Sequence, residues 1–343
     1  MALVLNSDYI TPAELTGYVR EALADWPIND LTPIDDLLPD QMIDDVDFRA
    51  NITQHGLRRA AKFRAYDAEA PITGRKGLVR ISGELPPISE KRKLGEYERL
   101  KLRQADSAIA DAIENDAVEL ADAIRTRIIM AKAEALVTGK VTLAENGLDL
   151  EADFKRKAGH TVTAATLWNV TGAGAADPIA DQMTWFDVYR VSNSSNPGRA
   201  ITRQSVMSAL MRNDKIRQYI QAPGSTQNIA TVDQVNALFT SFGHPRFEIV
   251  DAQIEDPNGN AMPLIPDGTI LYLPPAGIRI GETDWGTTAE AIDPGYGIEA
   301  SEAPGIVVGS YMDNDPVGRW TKASGIALPL LLRPDATMVA TVL

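Results

Sequence analysis

The stretch PITGRKGLVRISGELPPISEKRKLG (residues 71–95) runs directly into EYERLKLRQADSAIADAIENDAVELADAIRTRIIMAKAEALVT (residues 96–138), and the fold turns on reading the two together. In the first, Leu78, Val79, Arg80 and Ile81 predict a short strand. Gly74, Gly77, Gly83, Pro86 and Pro87 punctuate the segment into a long β-hairpin. Its tip is glycine-rich and basic, with Arg75 and Lys76. The spacing G-x-x-x-x-G-K-[ST] is absent, so this is not a phosphate loop. A projecting ribbon has little core of its own and must lean on another surface. In the second stretch Ile109, Ile113, Ala117, Leu120, Ile124, Ile128 and Ala131 recur every three to four residues, with charges on the other face. No Pro or Gly interrupts before Gly139, which reads as a C-terminal stop. A helix of that length spans on the order of 60 Å, so it should be a spine on which other elements pack. Its alanine-rich, non-heptad spacing argues against a coiled coil.

On the N-terminal side, charge is divided. Between Glu21 and Phe48 there is no Lys or Arg, and the acids include Asp35, Asp36, Asp40, Asp44, Asp45 and Asp47. Pro27, Pro33 and Pro39 recur at six-residue spacing, which leaves little helical or sheet continuity. The segment reads as an extended acidic arm that needs another surface. From Arg49 to Arg103 the balance reverses, to 14 basic against 6 acidic residues. An acidic arm beside a basic segment suggests pairing within one chain or between copies. Exposed pairs of this kind are worth roughly 0–1 kcal/mol each, and two solvated surface runs are the plain alternative.

On the C-terminal side, residues 140–143 and 148–151 flank Asn146-Gly147, a hairpin signal. Residues 155–177 form a polar connection carrying Trp168. Asp177-Pro178 sets an N-cap and a first-turn proline before a helix with Ile179, Met183, Phe186 and Tyr189. A short strand follows at 199–202, then a helix capped by Ser205, and a capping box from Thr231 to Gln234. Strands are expected at 247–250, 269–273, 278–280 and 305–308. The chain should end as strand, turn, strand across 326–343. No repeat of 20–50 residues occurs.

The composition narrows the function. The chain has 343 residues, Lys+Arg 33 against Asp+Glu 47, a net charge of −14, 44% hydrophobic and 6% aromatic residues. Such a length buries a sizeable core in one large or two modest domains. The charge argues against an outer face that grips nucleic acid. The absence of Cys removes disulfides, thiolate catalysis and Cys-ligated metals. No run approaches 18 apolar residues, so no membrane span is expected. The N-terminus lacks a basic n-region, so it does not read as a signal peptide and the product is expected in the cytoplasm where it is made.

The search for chemistry is nearly empty. His55, His160 and His244 are far apart, with no second ligand at metal spacing. No G-x-S-x-G is present. Asp256-Pro-Asn-Gly-Asn260 lacks the full calcium-loop pattern and its closing Glu, so it reads as a turn; so does Asp313-Asn-Asp-Pro316. Asn51-Ile-Thr53 matches a glycosylation sequon that is meaningful only on secretion. Trp26, Trp168, Trp185, Trp285 and Trp320 form no stripe and read as core or interface. The cluster Lys91, Arg92, Lys93 reads as a solvated face or an acid-binding contact in preference to a phosphate site. An arm, a basic hairpin, a spine helix and a mixed α/β region without an assembled site describe a subunit built to interlock with copies of itself.

These segments, in this order, resemble the lambda-type major capsid proteins of tailed phages, the major capsid protein E family. The resemblance covers essentially the whole chain and is weakest before residue 70. It is carried by PITGRKGLVR ahead of a charged turn and the long helix, the short hairpin from Gly139-Lys140, and the Asp177-Pro178 helix start. It continues through the strand at 199–201 leading into a helix, Pro266-Asp267-Gly268-Thr269, Gly277-Ile278-Arg279, and the ending PLLLRPDATMVATVL. None of these is a catalytic signature. The resemblance implies an α+β fold of the Hong Kong 97 phage type. Its N-terminal arm would be 1–70, the extended loop 71–95, the peripheral domain with the spine helix 96–165, and the axial domain 166–329. A C-terminal strand, 330–343, would return to the peripheral domain.

It further implies a structural protein and not an enzyme, without catalytic, cofactor or metal residues. Copies would self-assemble as hexamers and pentamers into an icosahedral shell around double-stranded DNA, without sequence-specific binding. A separate scaffolding protein, a portal and a decoration protein would be partners. The protein would reside in the virion and assemble in the host cytoplasm. Expected inter-subunit contacts are Arg75, Lys76, Arg80, Lys91, Arg92 and Lys93 on the basic side, and Asp35, Asp36, Asp44, Asp45 and Asp47 on the acidic side, with the arm meeting 91–93. Other readings are an encapsulin-like compartment shell, an α/β enzyme with a carboxylate-bound metal, and a phage tail or adhesin component.

Overall fold

The computed structural model describes residues 9–25, 31–52, 60–61, 63–70, 79–102, 106–220, 229–314 and 317–343. The acidic N-terminal segment is not an extended arm. It forms helix α1 (Pro12–Asp25), a single turn α2 (Thr32–Asp35) and a short strand β1 (Asp40–Met42). Leu15, Val19 and Leu23 recur at helical spacing and are buried, as are Leu31, Ile34 and Leu38. Pro33 sits in the first turn of α2, where its missing N–H costs nothing. The regular proline spacing therefore interrupts this segment without keeping it off the chain's own core. The Arg20 guanidinium of α1 donates to the carbonyls of Glu302, Pro304 and Ile306, pinning the helix to a distant loop.

Strands β2 (Asp47–Ile52), β3 (Val79–Glu84) and β4 (Pro87–Leu94) follow. The strand read at 78–81 is present as β3, but β3 and β4 do not pair with each other. β3 pairs antiparallel with β2, from Asp47 opposite Glu84 to Ile52 opposite Val79. β4 pairs with a C-terminal strand. Pro86 and Pro87 have no N–H to close a ladder at the crossover. Phe48, Ala50 and Ile52 of β2 are buried while 47, 49 and 51 are exposed, the period of a half-buried strand. The ribbon thus runs through residues assigned to the arm. Arg75 and Lys76 lie outside the described residues.

The spine forms as helices α3 (Glu96–Leu102) and α4 (Asp106–Thr138), on either side of residues outside the description. The 33 residues of α4 span about 50 Å. Gly139 takes φ +76° at its C-terminus, and the half-buried Arg156 donates to the last carbonyls, Ala135, Leu136 and Val137. The expected hairpin is strands β5 (Lys140–Glu145) and β6 (Leu148–Asp153), with Asn146 and Gly147 both at positive φ. Strand β7 (Thr161–Thr163) leads to helix α5 (Pro178–Asn193), whose N-cap Asp177 accepts from the Ala180 N–H. Next come β8 (Arg199–Thr202), α6 (Gln204–Arg212), α7 (Asp214–Ile220) and α8 (Val232–Ser241). Ser205 does not cap α6. The N-cap is Arg203, without a side-chain bond, and the Ser205 hydroxyl faces Asp267 instead. The Thr231–Gln234 capping box is fully formed. Thr231→Ala is expected to cost about 1 kcal/mol in denaturant unfolding.

The rest is mostly strand: β9 (Phe247–Ile249), β10 (Gln253–Glu255), β11 (Ala261–Pro263), β12 (Thr269–Leu273), β13 (Gly281–Trp285), the turn α9 (Ala289–Ile292), β14 (Val307–Asn314), β15 (Val317–Leu331) and β16 (Met338–Thr341). The strand expected at 278–280 lies at 281–285. A Cβ at Gly281 would stand 2.2 Å from the Leu330 carbonyl oxygen, so only glycine admits this approach of β13 to β15.

Two five-stranded sheets organise these elements. One has the order β1-β13-β15-β14, with β4 also on β15; the other is β7-β16-β12-β8-β9. The strands of 281–331, read as part of the axial region, belong to the first sheet. Trp285 and Ala323 of that sheet share a core with Leu15 of α1 and Ile124 of α4. The C-terminal strand β16 sits inside the second sheet, between β12 and β7. It is buried on both faces. Met338 and Ala340 face the core of α5–α8 with Tyr272, while Val339 shares with Leu271, Ile129 and Leu136 the core joining the two sheets. Trp168, Trp185 and Trp285 are buried, in keeping with the core reading.

Candidate inter-subunit surfaces

Most charges expected to face a neighbour already have partners in their own chain. Asp35 receives Lys132 Nζ at 2.6 Å and Arg125 Nη2 at 3.0 Å, both from α4. Burial pushes the Asp35 carboxyl up, but Lys132 and Arg125 outweigh it and hold it below its ordinary value. Lys132 is also 2.9 Å from Asp40. Asp44 accepts from the Thr287 hydroxyl at 3.0 Å. Asp45 turns the chain into β2 by accepting from the Val46 and Asp47 N–H groups. Asp36 and Asp47 are exposed, and Asp47 stands opposite Glu84, not opposite a base.

The basic set divides likewise. Arg80 is exposed on β3, opposite Asn51. Arg92 reaches α4, where it binds Asp116 at 3.0 Å and Glu119. Lys91 and Lys93 lie over the Trp320 ring, with Nζ 4.6 and 5.4 Å from its centre. The structure therefore does not bring the arm to residues 91–93. Lys91 also lines a cleft of about 530 Å³ with Glu90, Glu290, Tyr296 and Lys322, where Lys322 binds Glu290 at 2.5 Å.

The features that remain unpartnered escaped the charge reading. Phe63 and Tyr66, in the connection between β2 and β3, are fully exposed. Arg64 sits between them and closes a local turn by donating to the Ala65 and Ala68 carbonyls. The available signal was two aromatics in a basic segment without apolar periodicity. A second groove, about 730 Å³, opens at the root of the ribbon beside Pro86 and Pro87. Residues of α4, of the β5–β6 hairpin and of the β10–β11 loop line it.

Among the described residues, no three His, Asp or Glu side chains converge as metal ligands. His160 is buried between the Thr337 carbonyl and the Ser192 hydroxyl, each 3.1 Å away, and burial pushes its imidazole pKa down. His244 is also buried, at 2.5 Å from Gln182, and His55 lies outside the described residues. The turn at 256–260 is held by Asp256 accepting from the Asn258 and Asn260 N–H groups. Among the described residues, no helix is long and apolar enough to cross a membrane.

The family described as phage major capsid protein E matches residues 52–342. No curated protein matches the chain. Among solved structures, the chain is similar to a prophage protein of Escherichia coli CFT073 assigned as its capsid protein. The TM-score is 0.62 at 13% identity, over 97% of this chain and 99% of that one. It is also similar to a phage-related protein of Bordetella bronchiseptica RB50, with a TM-score of 0.58 at 15% identity, over 99% of this chain and 97% of that one.

Proposed function

The chain belongs to the phage major capsid protein E family and has the Hong Kong 97-type capsid fold, and from that premise we propose that its copies close, as hexamers and pentamers, into the icosahedral head of a tailed phage. The observation that carries this reading is the β2–β3 ribbon. Among the described residues its two strands pair with each other alone; one face, with Phe48, Ala50 and Ile52, is buried in its own chain, and the other, with Arg49, Asn51, Arg80 and Ser82, is exposed. In a shell, neighbouring copies would cover that exposed face. Many weak contacts repeated by symmetry then stabilise the particle through multivalency.

Arg75, Lys76 and Arg80 remain contact residues in this proposal, with Asp36, Asp45 and Asp47 on the acidic side. Asp35, Asp44 and Arg92 serve mainly within their own chain. The shell would enclose double-stranded DNA without reading its sequence, and the net charge of −14 suits an inner wall that repels packaged DNA. A separate scaffolding protein, a portal and a decoration protein are the proposed partners, with assembly in the host cytoplasm. Negative-stain electron microscopy of the protein, expressed alone and with its neighbouring open reading frames, is expected to show closed icosahedral shells. Arg75→Glu combined with Lys76→Glu is expected to reduce their yield. Monomers alone under both conditions, at high concentration, would remove the shell reading.

A further inference from the structure

We infer that His160 is the pin of a proton-operated latch: the neutral ring ties together the two segments that lead into β7 and β16, and a proton taken up by the ring releases them. One segment, 154–160, leaves the β5–β6 hairpin at the end of α4 and enters β7. The other, 332–337, leaves β15 of the first sheet and enters β16 of the second through the turn Pro334–Ala336. β7 and β16 are paired, so the two segments arrive side by side. The end of α5 packs on both. From it the Tyr189 hydroxyl donates to the Ala336 carbonyl at 2.9 Å, and the Asn193 amide to the Asp335 carbonyl at 2.7 Å.

The partners of the ring fix its protonation. Nδ1 lies 3.1 Å from the Thr337 carbonyl, which can only accept, so Nδ1 carries the proton. Nε2 of the neutral ring then accepts from the Ser192 hydroxyl, also at 3.1 Å. Ser192 in turn accepts from the Lys157 ammonium at 3.0 Å, and Lys157 stands 3.1 Å from the Asp335 carboxylate. One direction of donation satisfies the row: Lys157 to Ser192, Ser192 to His160, His160 to Thr337. A second proton, on Nε2, breaks it. Nε2–H and the Lys157 ammonium would both donate to one hydroxyl oxygen, whose own hydrogen loses its acceptor.

The charges act in the same direction. The groups facing the ring are Arg156 and Lys157 from its own segment, Asp335 from the other segment, and Tyr189 from α5, whose ring is 5.8 Å away and whose hydroxyl burial keeps protonated. An imidazolium would be the third cation around one carboxylate, inside a site where His160, Ser192 and Asp335 are all buried. Burial first, then Lys157 and Arg156, hold the imidazole below its ordinary 6.5 against the pull of Thr337 and Asp335. The closed latch is therefore at full strength above pH 6.5 and weakens as pH falls from there toward the lower value of the closed ring. Across that window each unit of pH lost raises the opening constant about tenfold, because opening takes up one proton. The joint is stiff at neutral pH and loosens in acid.

The latch belongs to the single chain, so its test does not depend on whether copies close into shells. Amide hydrogen exchange of the full, unassembled chain reads it. The Lys157 amide donates to the Asp335 carboxylate, and the Ala336 and Thr337 amides to the Arg333 and Pro334 carbonyls, so opening exposes all three. Exchange from an open amide slows about tenfold per unit as pH falls, and the rising opening constant cancels that fall. These three amides are expected to exchange at a level rate just below pH 6.5, while those of the α8 capping box slow about tenfold per unit. In His160→Gln, which has no ring to titrate, the three should slow like the rest. Wild-type amides that slow with the rest, or a level rate that persists in His160→Gln, would overturn the latch. Ser192→Ala gives a second reading should that variant fail to fold. Without the hydroxyl that donates to Nε2, the closed ring takes its proton more easily and the level window should narrow. An unchanged window in Ser192→Ala would overturn the latch as well.

Discussion

Lys132→Met is expected to destabilise the unassembled chain by about 3 kcal/mol in denaturant unfolding, with the loss centred on the N-terminal segment. The Lys132 side chain is only 2% exposed. Its ammonium group lies 2.6 Å from Asp35 and 2.9 Å from Asp40, so one buried cation ties α2 and β1 to the spine. Methionine keeps the length and the apolar stem, and thereby isolates the charge. What it leaves is a partly buried carboxylate on Asp35 with only Arg125 to answer it. That remaining guanidinium keeps the loss below the upper end of the range for broken buried pairs. The pH dependence follows from Asp35. Its folded carboxyl is held below the ordinary 3.8. The stability it contributes is therefore present above about pH 4 and lost as pH falls through the folded value. The gap between wild type and variant should be the same at pH 6 and pH 8 and should shrink in acid. A loss under about 0.5 kcal/mol, with no earlier proteolysis before residue 40, would show that burial of Leu31, Ile34 and Leu38 holds the segment without the charge.

That clamp also shows what could and could not be read from the sequence. The β5–β6 hairpin, the α5 N-cap and the α8 capping box are each set by three to six adjacent residues, and each formed where expected. Pairings between distant segments were not legible. β2 finds β3 across a long connection, and β4 finds β15 across most of the chain. Pattern alone gives a strand its faces but not its neighbour. Intrachain partners of the charges were not legible for a related reason. Opposite charge identifies possible partners, but Coulomb attraction has no direction. Arg92 was expected to meet the acidic arm, yet it lies across α4 and takes Asp116 and Glu119. Asp35 was expected to meet 91–93, yet α2 places it over Lys132. The capsid fold was legible because the order of segments carries it. Which charges take partners within their own chain was not, because burial decides that.

Asp284→Asn is expected to do the opposite of Lys132→Met and stabilise the chain, by about 2 kcal/mol at pH 7. Asp284 lies in β13, paired with Leu328 on one side and Gln41 on the other, and is 7% exposed. Its Oδ1 has no hydrogen-bond partner, which is a costly state for a buried carboxylate. Burial first, and then Glu282 on the same strand, push its pKa to about 6 from the ordinary 3.8, against the pull of Arg279. A carboxyl raised on folding binds protons more tightly in the native state than in the unfolded chain. Native stability therefore falls as pH climbs from about 4 to about 6, and the full cost is present above that. Two pKa units correspond to about 3 kcal/mol, and an imperfectly bonded amide returns part of it. Unfolding curves of wild type and variant should coincide near pH 4, diverge between pH 4 and 6, and run parallel at higher pH. A variant no more stable than wild type at pH 7 would mean that Oδ1 already has a donor there, such as an ordered water, and that the strand carries its charge without penalty.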